Sequence, residues 1–143
     1  MNTTGPSANS IVEVSAGLVF HQEKLLITQR PTSGHLANLW EFPGGKREPA
    51  ESFEECLHRE LAEELAIEVS HLELVDSVEH SYPEKTVLLK FFKCGLEAGT
   101  PRAIGCQDFR WVKRDELSAF EFPAADERLI ELLKSRDDLW STG

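Results

Sequence analysis

The stretch Gly44–Ile67, GGKREPAESFEECLHRELAEELAI, governs the reading of the whole chain. It is a glycine-hinged loop feeding one helix. Ser52 followed three residues later by Glu55 is a capping box, and Phe53 opens an apolar series, so the spacing predicts a helix over residues 52–66. Leu57, Leu61 and Leu65 wind down one face while Glu60, Glu63 and Glu64 share the neighbouring one. Glu60 and Glu64 are a like-charge pair one turn apart, destabilising by roughly 0.2–0.5 kcal/mol. They also stand in the half of the helix whose dipole disfavours negative charge. Glu-rich helices are commonly just solvated, so the carboxylates alone decide nothing. A Gly-Gly loop beside them, however, lets a ligand approach the backbone. Clustered carboxylates are the hard oxygen donors that Mg²⁺ or Mn²⁺ takes together with water and phosphate. Jointly they describe a metal-phosphate site.

Upstream, Ile11–Phe20 reads as a strand entering a covered sheet and Lys24–Gln29 as a second strand, close enough for a hairpin. Arg30–Asn38 is a loop by its Pro, Ser and Gly content. Downstream, residues 67–78 return to a strand pattern with a kink at Ser70-His71, and Thr86–Cys94 is a strongly apolar strand. Residues 97–106 read as loop, 109–112 as a short strand, 114–117 as a helical turn and 124–134 as a second amphipathic helix. Strands, helix, strands, helix make an α+β class with helices packed on a mixed sheet. One domain over residues 11–137 is expected, with a disordered leader at 1–10 and a C-terminal tail at 138–143.

Composition narrows the partners. Twenty-five acidic against 15 basic residues give a net charge of −10, which excludes the basic footprint of a protein that binds nucleic-acid duplex. Three widely spaced cysteines, Cys56, Cys94 and Cys106, read as free thiols in a reducing compartment. With no long apolar run and no signal-like N-terminus, a cytoplasmic protein without membrane contact is expected, as monomer or homodimer.

The fixed positions now carry a resemblance. Gly45, Glu51, Arg59-Glu60-Leu61, Glu63-Glu64 and Ile67, at their spacings, closely resemble the signature box of the Nudix hydrolases in its MutT-like branch. Gln29–Lys46 and Phe122–Leu133 are similar to the segments flanking that box in MutT-like nucleoside triphosphate pyrophosphohydrolases. The resemblance implies the Nudix fold, a mixed β-sheet sandwiched between α-helices. It implies Mg²⁺-dependent release of nucleoside monophosphate and pyrophosphate, with 8-oxo-dGTP or another modified nucleotide as substrate. Alternatives are CTP, a dinucleoside polyphosphate, a nucleotide sugar, or a non-hydrolytic oxidised-guanine recognition module like the C-terminal domain of MutY. By the same resemblance Gly44, Glu60, Glu63 and Glu64 bind metal, the glutamates and Arg59 are catalytic, and Arg59 orients the cluster. Its bland alternative is a surface ion pair with Glu55 or Glu63.

The resemblance also implies that the base edge is read from the start of the last helix, where Asp126 falls, and an ionised carboxylate acceptor there suits N–H donors of a base. The competing role is complementing the helix dipole. Phe42 is a base-stacking candidate or a core residue, Arg30 a phosphate or base ligand or a loop anchor paired with Glu41, and His35 a loop contact or simply exposed. Two positions depart from the family pattern. Ala66 stands where glycine is usual, so an adjustment at the helix end is expected, and Gly105 stands where many relatives carry a further carboxylate. Asp108 is near that position but out of phase with it.

Overall fold

The computed structural model describes residues 10–140. The expected leader lies outside them apart from Ser10, as do residues 141–143 of the expected tail.

Strand β1 (Ile11–His21) is the axis of the sheet. It turns through Gln22 and Glu23, both at positive φ, into β2 (Lys24–Gln29), forming the expected hairpin. Two short strands follow, β3 (Trp40–Glu41) and β4 (Gly44–Lys46). Helix α1 (Phe53–Leu65) then crosses the sheet before the long pair β5 (Glu68–Ser81) and β6 (Thr86–Ala98). Strand β7 (Asp108–Val112) and helix α2 (Glu127–Ser135) complete the set, with 3-10 turns at Arg114–Ala119, Ala124–Asp126 and Asp137–Trp140. The sheet runs β3-β2-β1-β6-β5, with β4 on β1 and β7 on β2. Among the described residues only β1 and β6 are parallel; they pair from Ile11↔Thr86 to Phe20↔Gly95, which makes the sheet mixed.

Both faces of the sheet are covered, and this explains the unbroken apolar run in β1. Leu18 and Phe20 point into a core shared with Leu129 and Leu133 of α2, while Val19 points into a second core against Leu57, Leu61 and Leu65 of α1. The arrangement is the expected sandwich.

The structure corrects one of these readings and sharpens two others. The Gly44-Gly45 pair is part of strand β4 rather than loop: with no side chain at Gly44 its backbone fits against β1, where an added Cβ would lie 1.9 Å from the Ser15 carbonyl oxygen. The kink in β5 is a bulge, with His71 at φ 58° and the register shifting between Ser70 and Glu73. At the far end Trp140 packs on its own domain, edge-on to Phe20 at 5.1 Å, and Leu139 is buried, so the packed domain runs through residue 140. Among the described residues β5 is one of the two terminal strands of this order, and it carries the exposed acids Glu68, Glu73 and Glu79.

Candidate active site

The capping box forms as expected: the Ser52 hydroxyl accepts from Glu55 N at 3.0 Å and Glu55 Oε1 accepts from Ser52 N at 2.8 Å. With Cys56, Leu57, Leu61 and Leu65 buried against the sheet, α1 turns its glutamates toward β4. Glu60 lies directly over Gly45, where a Cβ would meet its carboxylate carbon at 2.2 Å. Glu64 Oε1 accepts from Gly44 N at 3.3 Å. Two carboxylates therefore rest on the paired glycines of β4. Burial pushes Glu60 up and Arg59 pulls it back; burial, then Glu41, pushes Glu64 up to about 8.

Arg59 is the hub of this cluster. It donates to both Glu51 oxygens at 2.6 and 3.0 Å, to Glu60 at 2.9 Å, to Glu63 at 3.2 Å and to the Lys46 carbonyl at 3.0 Å. These bonds hold Glu51 well below the usual carboxylate range. The arginine ties α1 to β4 and orients the glutamates. Glu63 is the outermost member, its side chain 62% exposed.

Beside β4 opens a cavity of about 260 Å³ that Gly44 and Gly45 share with Arg30, His35, Phe42 and Asp126. All four residues expected to contact substrate thus line one cavity. Asp126 is 4% exposed and makes no capping hydrogen bond to α2; burial, then Glu41, raises it to about 7. Arg30 is fixed by Glu41 at 3.0 Å and by the His35 carbonyl at 2.9 Å, so its anchoring pair exists and aims it along the wall. Phe42 is a core residue as well as a wall: 3% exposed, it stacks on Phe122 at 5.2 Å, leaving that face unavailable to a base. His35 is exposed and meets Tyr82 edge-on at 5.0 Å.

The sequence profile of the NUDIX domain matches residues 15–132. The chain belongs to the Nudix family. It is 33% identical over 124 residues to the 8-oxo-dGTP diphosphatase of Escherichia coli (strain K12), covering 86% of this chain and 96% of that one. To the CTP pyrophosphohydrolase of the same organism it is 36% identical over 121 residues, covering 85% and 90%. In three dimensions it is similar to the solution structure of the E. coli ORF135 protein, with a TM-score of 0.77 and 34% identity over 93% of this chain and 99% of that one. It is a MutT-like Nudix hydrolase, acting on phosphoric anhydrides.

Nudix hydrolases generally work with a divalent metal, and the donor set here fits one. Glu60 and Glu64 are desolvated carboxylates whose charged form is disfavoured as they stand, and a bound cation reverses that preference. Among the described residues no three carboxylate, histidine or cysteine side chains converge into a finished cage. Glu60 is turned onto Arg59, Glu64 onto Gly44, and Glu63 faces outward.

The two departures from the family pattern are resolved by geometry. Ala66 makes no adjustment: it adopts φ 61°, ψ 38°, the left-handed conformation, and its N–H donates to the carbonyls of Ala62 and Leu61. Gly105 packs on the helix end. Its N–H and that of Ile104 donate to the Glu64 carbonyl at 3.0 and 3.1 Å, and that of Arg102 to Leu65 at 2.9 Å, satisfying carbonyls the helix leaves open. A Cβ at 105 would lie 3.3 Å from the Glu64 Cα. Asp108 pairs with Arg110 at 3.2 Å.

Sequence reasoning missed Tyr82 and Lys85, which line the cavity from the turn between β5 and β6. Their signal was an aromatic and a cation in one short turn, but nothing local says where such a turn folds to. It also treated Glu41 only as a partner for Arg30, whereas Glu41 lines the cavity too and its charge bears on both Glu64 and Asp126.

Proposed function

We propose that this chain is a Mg²⁺-dependent nucleoside triphosphate pyrophosphohydrolase whose substrate is 8-oxo-dGTP or another modified nucleotide. The products are a nucleoside monophosphate and pyrophosphate, one water being added across the anhydride bond. The observation that carries the reading is Asp126: a buried carboxyl with no hydrogen bond to its own helix, in the same cavity as the Gly44-Gly45 strand that supports Glu60 and Glu64.

Each residue has a physical task. Asp126 accepts N–H groups of the base edge when ionised and can also donate when protonated, which suits guanine-like bases and the amino group of cytosine. Arg30, pre-aimed by Glu41, offers its remaining N–H groups to phosphate or base. Gly44, Glu60, Glu63 and Glu64 would hold the metal, Mg²⁺ or alternatively Mn²⁺ being the ions such oxygen donors favour. When bound there, the metal supplies charge neutralisation on the phosphates and acidifies water. Arg59 keeps the glutamates in position and offsets their mutual repulsion.

The CTP pyrophosphohydrolase similarity supports a second substrate reading, cytidine triphosphates, on the same chemistry. Pyrophosphate release from a panel of oxidised and ordinary triphosphates, with and without Mg²⁺, tests both. Turnover of 8-oxo-dGTP that disappears with EDTA is expected. Preference for CTP would replace the substrate, and no turnover of any triphosphate would remove the proposal in favour of oxidised-guanine binding without hydrolysis.

A further inference from the structure

The start of α2 presents Asp126 to the cavity, and the two ends of this helix are fixed differently. At its C-terminal end Trp140 Nε1 donates to the Leu133 carbonyl at 2.8 Å and Arg114 Nη2 to the Lys134 carbonyl at 2.7 Å. At its N-terminal end no side chain caps the helix. Two residues beyond Asp126, the Arg128 Nε instead lies 3.2 Å from Oδ2 of Asp76 on β5.

Asp76 is an unusual residue for an outer strand. Its side chain is 8% exposed, against 72% for Arg128, and Oδ2 makes no aligned hydrogen bond, so the arginine contact is one of charge. A carboxylate buried this way is costly unless paired. The strand is bent to put it there. Leu74 pairs with Phe92 and Asp76 with Phe91, leaving Val75 as an extra residue, and Val75 packs into the core that contains Leu129 and Leu133. Bulges re-aim side chains in this manner. Asp76 shares its face of the strand with Val78, which packs into the same core.

We propose that Asp76 and Arg128 form a strut between β5 and the first turn of α2 that positions the Asp126 carboxyl in the cavity. They are positioning residues for base selection and need not touch the nucleotide. The substrate arm of this inference rests on the base-reading role proposed for Asp126; the structural arm does not.

The test is the paired change Asp76→Asn with Arg128→Gln, which leaves net charge unaltered. Carboxyl-carbon NMR of Asp126, assigned by its disappearance in Asp126→Asn, reads position directly. The expected result is a changed resonance whose titration midpoint falls toward the ordinary carboxylate range as water reaches the group. In kinetics, KM for 8-oxo-dGTP should rise roughly threefold to tenfold with kcat nearly constant. The same pair placed on Asp126→Asn should leave KM where Asp126→Asn alone puts it, and Arg128→Lys with Asp76 intact should retain part of the effect of the native pair. An Asp126 resonance and midpoint identical to those of the native protein overturn the strut. So does an equal KM change in both backgrounds. If Asp126→Asn itself leaves KM unaltered, the base-reading role fails and the resonance alone judges the strut.

Discussion

Ala66 closes α1 in a conformation that glycine tolerates and alanine resists, at a cost of roughly 1–2 kcal/mol. Ala66→Gly should therefore raise the melting temperature, by about 2–4 °C after the extra chain entropy of glycine is offset, and a thermal melt checks it. Asp126 is the second residue with a defined expectation. Its folded value of about 7 exceeds the unfolded 3.8, so its contribution to stability is full below pH 3.8 and is lost as pH rises to about 7. Asp126→Asn removes this dependence. Urea unfolding should show the variant gaining on the native protein between pH 5 and pH 8, and substrate profiles should show a larger change in base preference than in maximal rate. These residues were legible because chemistry and spacing coincide: Arg59 and the glutamates sit on one helix face, and Asp126 marks a helix start. Tyr82 and Lys85 were not, because their place in the cavity depends on how a distant hairpin folds back.

Helix α1 and strand β4 act as one device, and their glycines do different work. At Gly45 an added methyl meets only the flexible end of Glu60, so Gly45→Ala should displace that carboxylate, cutting turnover more than tenfold while moving the melting temperature little. At Gly44 the obstacle is the Ser15 backbone, so Gly44→Ala should impair folding itself. Turnover assays paired with melts separate the two, and comparable destabilisation by both would contradict the assignment. The helix was readable to within a residue because its capping box and leucine spacing are local signals. Strand β4 was read as loop because glycines signal turns, whereas here they permit close backbone pairing.

At the scale of the whole molecule, the sandwich followed from the apolar run in β1, which makes sense only if both faces are covered. The limit of the domain did not, since DDLW carries no periodicity long enough to mark a helix. Yet Leu139 is 3% exposed and Trp140 closes over Phe20. Ending the chain at Asp138 should lower the melting temperature by on the order of 10 °C, the consequence of losing two core side chains. A melt unchanged by this truncation would return the segment to the status of a tail.

The outer edge of β5, on a strand rich in exposed acids, also bears on how the protein behaves in concentrated solution. Its unpaired N–H and C=O groups would template strand addition by a second molecule, and Glu68, Glu73 and Glu79 oppose that approach by repulsion. The barrier is one of charge and therefore depends on the net charge of the molecule. Near the isoelectric point of about 4.9 the molecules lose their mutual repulsion while β5, with Leu74 half exposed beside the acids, keeps its adhesive backbone. Precipitation on mild acidification, before any loss of fold, is the colloidal signature of this architecture.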